Sequence, residues 1–220
     1  MTWQKRLLDV TFLLTIVGPI MLPVLGGLVL YIWVREGRPI FYGSERMRSP
    51  RQSFTLWKLR TMTVAHADSG VSGGDKDTRI TRIGRVLRRT RMDELPQMLN
   101  ILRGDISFVG PRPPLREYVD RFPDIYEQVL RSRPGATGLA SLVYARHETW
   151  ILGRCRSAEE TDAVYARACV PRKARLDLLY QRHAGIGFDC WLICVTSARV
   201  LRLQRGRRFP RAPRVLRGGW

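Results

Sequence analysis

The chain has 220 residues, enough to bury a real core in one ordinary domain and to carry an appendage besides. Its 38 Lys and Arg outnumber 19 Asp and Glu, and the net charge of +19 directs it toward polyanions: nucleic acid, anionic lipid or phosphorylated substrates. Cys155, Cys169, Cys190 and Cys194 contain no C-x-x-C pair and the histidines are scattered, which excludes a zinc pattern; free thiols are expected. The charge comes without a helix-turn-helix or RNP-like motif and without regular aromatic interleaving, so nucleic acid is not the expected partner.

Residues 10–34 run without a charge. At ~1.5 Å per residue a straight helix of this length reaches about 37 Å, enough to cross a ~30 Å hydrocarbon layer. Pro19 and Pro23 near its middle each remove a backbone hydrogen bond and favour a kink. Basic residues flank both ends, Lys5 and Arg6 before and Arg35, Arg38, Arg46 and Arg48 after, which favours keeping both ends in the cytoplasm. The pattern alone allows either a span or a helix that enters, bends and returns.

Residues 39–42 and 53–57 have strand character and are joined through a turn at Ser49-Pro50, a hairpin followed by Lys58 and Arg60. Residues 65–78 are a Gly-, Ser- and Asp-rich loop that can order over a bound nucleotide. Residues 79–91 set Ile80, Ile83 and Leu87 against six arginines, Arg88 among them. That is a basic amphipathic helix, suited either to lipid headgroups or to a phosphate. Asp93 and Glu94 then open a short helix with Leu95, Met98, Leu99 and Leu102 as its apolar seam, Pro96 being tolerated in the first turn. Gly104-Asp105 ends it, residues 106–109 are a short buried strand, and Pro111-Arg112-Pro113 is a stiff exit. Two acids at a helix start are most simply dipole capping. Residues 115–133 are helical with an interruption at Pro123, residues 133–140 form a Gly-rich turn able to approach a ligand, and 158–169 and 188–201 are further helices. Arg199 to Trp220 holds eight arginines and no acid, which leaves +11 for the rest; residues 202–220 read as a basic, disordered tail.

The string TRMDELPQMLNILRGDISFVGPRP, from Thr90 to Pro113, closely resembles the signature of the bacterial sugar transferase family, the monotopic phosphoglycosyl transferases. In that family a DELPQ-type helix start leads through N-x-L-x-G-D to S-x-V-G-P-R-P. Further strings resemble it too: Lys5-Arg6-Leu7-Leu8-Asp9, Lys58-Leu59-Arg60-Thr61-Met62, Arg133-Pro134-Gly135-Ala136-Thr137-Gly138-Leu139-Ala140 and Leu176-Asp177 with Tyr180. Arg46 matches the arginine of a Q-x-R-x-G element, of which only that arginine is kept. Gly18-Pro19 stands where the family often has Ser-Pro, Ser141 where it usually has Gln, and residues 146–175 look like an insertion.

The resemblance implies a mainly helical α+β fold: a re-entrant membrane helix over 1–36 with its break at Pro19 and Pro23, a cytosolic domain over 37–201, and the tail. It implies transfer of a phosphosugar from a UDP-sugar to a polyprenol phosphate (undecaprenyl phosphate), the initiating step of a surface glycan, at the inner face of a bacterial plasma membrane rich in anionic phospholipid. Asp93 would be the nucleophile and release UMP, Asp93 and Glu94 would hold Mg2+, and Lys58, Arg60, Arg88 and Arg112 would bind phosphate or nucleotide; a homodimer is compatible. The rival expectation is a membrane-anchored polybasic protein that binds nucleic acid or acidic lipid without catalysis.

Overall fold

The computed structural model describes residues 2–64 and 74–200, so the tail and most of the Gly-rich loop lie outside the described residues. Helix α1 (Trp3–Phe12) begins where the Thr2 hydroxyl accepts the Lys5 N–H. It runs into a wider π-turn at Leu13–Val17, closed by the Gly18 N–H on the Leu13 carbonyl, and then into α2 (Gly18–Glu36). The expected break at Pro19 is thus a bulge and not a gap: the chain stays helical for 34 residues, from Trp3 to Glu36, through both prolines. Gly18 makes this possible, because a Cβ there would lie 2.8 Å from the Leu13 carbonyl oxygen.

This helix is long and apolar enough to cross a membrane, and its middle is bare, with Leu14, Ile16, Ile20 and Leu22 exposed. Both of its ends, however, pack on the same domain. Near the start, Arg6 donates to the Ile101 and Leu102 carbonyls at 2.5 and 2.6 Å, and Leu13 joins Leu56, Ile101 and Ile106 in a small core with Val17 against it. Near the end, Ile32 is fully buried with Leu59 and Leu87, and Leu25, Leu28 and Val29 pack alongside.

After Gly37, strands β1 (Phe41–Ser49) and β2 (Gln52–Leu59) form the expected antiparallel hairpin, pairing Tyr42 with Lys58 and Glu45 with Thr55. The end of the Gly-rich stretch, Gly74–Arg79, is a 3-10 helix. Helix α3 (Arg82–Thr90) is N-capped by Thr81 and approaches the chain beyond β2 so closely that a Cβ on Gly84 would sit 2.1 Å from the Thr61 oxygen. Arg91, at φ 61°, turns the chain into a 3-10 turn, Met92–Glu94. Helix α4 (Gln97–Arg103) starts only after Pro96, so the two acids precede the helix instead of opening it.

The expected seam on α4 also needs correcting. Leu99 and Leu102 are exposed, and the buried face is Gln97, Asn100 and Ile101. Asn100 decides this: its Oδ1 accepts the Trp57 N–H at 3.2 Å, and its Nδ2 donates to the Thr55 carbonyl at 2.8 Å and to Asp105 at 3.0 Å. Strand β3 (Ser107–Val109), helices α5 (Arg116–Arg121) and α6 (Pro123–Val129), and strand β4 (Gly135–Thr137) follow. β4 pairs in parallel with β3, so the middle of the Gly-rich turn expected over 133–140 is a strand. Helices α7 (Leu139–Leu152), α8 (Ala158–Val164), a π-turn (Tyr165–Cys169), α9 (Val170–His183) and α10 (Ile186–Val200) complete the domain. Residues 146–175 are part of its core, since Leu152, Tyr165, Cys169, Val170 and Ala174 pack with Tyr118, Val129 and Leu139.

Candidate active site

Three short constructions bring the charged residues together. Lys58 lies near the end of β2, opposite Tyr42 of β1. The left-handed Arg91 folds the 3-10 turn back toward that strand, which buries Asp93. Arg112 arrives on the proline-stiffened segment after β3. The result lines a cavity of about 1000 Å³ with Arg46, Lys58, Arg88, Asp93, Glu94 and Arg112.

The two adjacent acids have opposite surroundings. Glu94 is saturated: Arg112 donates to its Oε1 at 2.7 Å, Arg91 to both oxygens at 3.2 Å, and the Lys58 ammonium lies 3.8 Å away. Burial opposes its charge, but Arg112, Lys58 and Arg91 override burial and hold its carboxyl well below the usual range. Asp93 makes no ion pair within 4.0 Å among the described residues. Burial, and then the Glu94 charge, push its carboxyl up, while Lys58, Arg112 and Arg88 pull it back. Burial also brings the Lys58 ammonium down to about 8 with help from Arg112, against the pull of Glu94 and Asp93. Arg46, pushed down to about 10 by burial and by Arg112, donates to the Ser44 hydroxyl and the Pro113 carbonyl. Arg88 donates to the Thr61 hydroxyl at 2.9 Å.

Such an arrangement offers a buried carboxylate with no close cation, held next to one that organises the cations. The positive excess suits a ligand carrying more than one phosphate, where the flat guanidinium fork matches phosphate oxygens. Simple capping does not describe Asp93 and Glu94, for they precede the helix and face a cavity. As a donor set the acids fit a hard cation, Asp93 with open oxygens and Glu94 by exchanging its contact to the half-exposed Arg91, with phosphate and water left to complete an oxygen shell. Among the described residues no cluster of three His, Cys, Asp or Glu side chains forms an all-protein metal cage.

Of the residues anticipated from the sequence, Lys58, Arg88, Asp93, Glu94 and Arg112 meet in this cavity. Arg60 does not line it. One strand position beyond β2, its guanidinium donates to the Glu36 and Gly37 carbonyls at 2.8 and 3.2 Å and lies 3.7 Å from the Glu36 carboxylate, so it closes the end of α2. Pro19 and Pro23 lie far along the helix, in its exposed middle. Arg91, Glu148, Lys173 and Asp177 also line the cavity and were not anticipated there. Arg91 could have been found from its i, i+3 spacing to Glu94, and Asp177 from the family-like string Leu176-Asp177 with Tyr180; Glu148 and Lys173 carry no local signal of a shared site.

The model of the bacterial sugar transferase family matches residues 1–203, and the chain belongs to that family. The chain is 32% identical to the uncharacterized sugar transferase EpsL of Bacillus subtilis, over 90% of this chain and 87% of that protein. It is 37% identical to a UDP-glucose:undecaprenyl-phosphate glucose-1-phosphate transferase of Caulobacter vibrioides, over 73% of this chain and 62% of the relative. It is 34% identical to the undecaprenyl-phosphate galactose phosphotransferase of Salmonella typhimurium, over 62% of this chain but only 32% of that longer protein.

Proposed function

We propose that the protein transfers a sugar phosphate from a UDP-sugar to a polyprenol phosphate at the cytoplasmic face of a bacterial plasma membrane, initiating a surface glycan. The observation that carries this reading is the pairing of a cation-saturated Glu94 with an Asp93 that has no ion pair within 4.0 Å among the described residues, inside one cation-rich cavity. The family and the names of its members support the substrate classes.

In the first half-reaction an Asp93 oxygen attacks the sugar-bearing phosphorus. The bond from that phosphorus to the bridging oxygen breaks, and UMP departs with the oxygen and its electron pair. In the second, a phosphate oxygen of the polyprenol phosphate attacks the same phosphorus, the acyl phosphate bond to Asp93 breaks, and the carboxylate is regenerated. Lys58, Arg88 and Arg112 stabilise charge on the phosphate oxygens throughout. Glu94 keeps Lys58, Arg91 and Arg112 in place. Asp93 and Glu94 are the residues that would hold Mg2+, whose contribution when bound is to neutralise diphosphate charge.

The re-entrant reading rests on the two docked ends of the long helix. With Val17 packed on one small core and Leu25 on another, only residues 18–24 lie between the contacts, far short of the ~20 residues a bilayer span requires. Reporters fused to the two ends should therefore respond from the same, cytoplasmic face; opposite faces would reject it. For the chemistry, wild-type protein given UDP-sugar without lipid should release about one UMP per active site and carry a phosphosugar on Asp93 detectable by mass spectrometry. An Asp93→Asn enzyme that turns over normally would sink the proposal.

A further inference from the structure

The same cavity is also lined by the buried Tyr126, Leu152, Val170 and Ala174 and by three ionisable side chains: Glu148 of α7 and Lys173 and Asp177 of α9. Lys173 is satisfied, donating to Glu148 Oε1 at 2.9 Å and to the Tyr165 hydroxyl at 3.3 Å. Asp177 is not. It is 7% exposed, and its Oδ1 is sealed from solvent with no hydrogen-bond partner among the described residues. A buried carboxylate oxygen without a donor is costly, so one that lines a cavity marks the place of a ligand that brings donors.

On the reading of the reaction given above, we propose that this part of the cavity seats the pyranose ring of the transferred sugar, with Asp177, Glu148 and Lys173 discriminating among its hydroxyl and acylamino substituents. The diphosphate carries acceptors only and offers the unpartnered Asp177 oxygen no donor, whereas a sugar ring carries several hydroxyl donors. The order of events points the same way. UMP must leave and the lipid phosphate must enter while the sugar phosphate stays, so the group that stays belongs against the buried lining residues. The groups that exchange belong at the open end, where Tyr42 is 45% exposed and the Arg91 side chain 42%. Hydrogen-bonding groups in a dry pocket discriminate strongly, because the wrong substituent leaves them unpaired.

The test uses the full-length protein in lipid nanodiscs with UDP-glucose, UDP-galactose and their two N-acetylamino counterparts, comparing wild type with Asp177→Asn and with the less buried Glu148→Gln. Melting curves confirm that each variant is folded. The ratio of kcat/KM between the best and second-best donor should change at least tenfold in one or both variants while the inhibition constant of UMP stays put. Saturation-transfer NMR should show sugar-ring protons losing intensity in the variants and uracil protons keeping theirs. A uniform loss across donors with unchanged ratios, or weakened UMP binding, would overturn the subsite while leaving the transferase reading intact. If wild type releases no UMP from any donor yet the NMR pattern holds, the reaction falls and the subsite survives. Absence of any UDP-sugar binding overturns both.

Discussion

Lys58 is the residue whose charge state the site controls most directly. Burial and Arg112 bring its ammonium down to about 8, so the cation that faces the acids is progressively lost as pH rises through that value. On the proposed mechanism Asp93, raised by burial and by Glu94, must lose its proton to act, which sets the acid side above the ordinary aspartate range. A bell-shaped pH profile for kcat/KM is expected, with its alkaline limb near pH 8. Lys58→Arg should move that limb upward by about a unit or more, since guanidinium does not titrate there; an unmoved limb would assign it elsewhere. Asp177 supplies a stability prediction. Burial pushes its carboxyl up to about 7, so the folded state prefers the protonated form. The stability this contributes is full below the unfolded carboxylate range and is lost as pH rises through about 7. Asp177→Asn does not titrate. Its Tm relative to wild type should therefore rise by several degrees between about pH 5 and about pH 8, measured by calorimetry.

At the level of elements, α4 is held by one polar side chain where an apolar seam was expected. Asn100 is fully buried and joins α4 to β2 and to the turn at Asp105. Removing its amide leaves the Trp57 N–H and Thr55 carbonyl without their partner. Asn100→Ala should cost about 3 kcal/mol and lower Tm by roughly 10 °C. Because β2 carries Lys58 and the turn before α4 carries Asp93, activity should fall further than stability alone explains, which an assay well below Tm would reveal. Arg6 braces the other end of α4 by taking the Ile101 and Leu102 carbonyls, a cation at a helix C-terminus. The membrane helix and the acid-bearing turn are thus coupled through a single short helix.

For the whole molecule, two different attractions to a membrane are present. The long helix exposes Leu14, Ile16, Ile20 and Leu22, and α3 exposes Arg82, Arg85 and Arg89 on its outer face. Salt weakens the second and leaves the first intact. Membranes washed with about 1 M salt should retain the protein, and detergent should release it. Release by salt alone would mean that the apolar helix is not inserted. Depth matters to the chemistry, because one substrate is soluble and the other is confined to the bilayer.

Much of this was readable in the linear chain because it depends on near neighbours: the apolar run, the hairpin around Ser49-Pro50, the basic face of α3, and the string from Asp93 to Arg112 that carries the family. What depended on distant partners was not. β4 is three residues long and becomes a strand only by lying beside β3. The buried face of α4 is set by a hairpin more than forty residues upstream, which offers Asn100 better partners than water does. Arg60 sits in a string that points to phosphate, yet the nearby carbonyls at the end of α2 claim it. Composition and local pattern therefore determined that this is a basic chain with a long apolar helix and the adjacent acids of the family string. Only the tertiary structure decided which acid is neutralised, which cations reach it, and that Glu148, Lys173 and Asp177 share its cavity, because desolvation and charge pairing act through space and not along the chain.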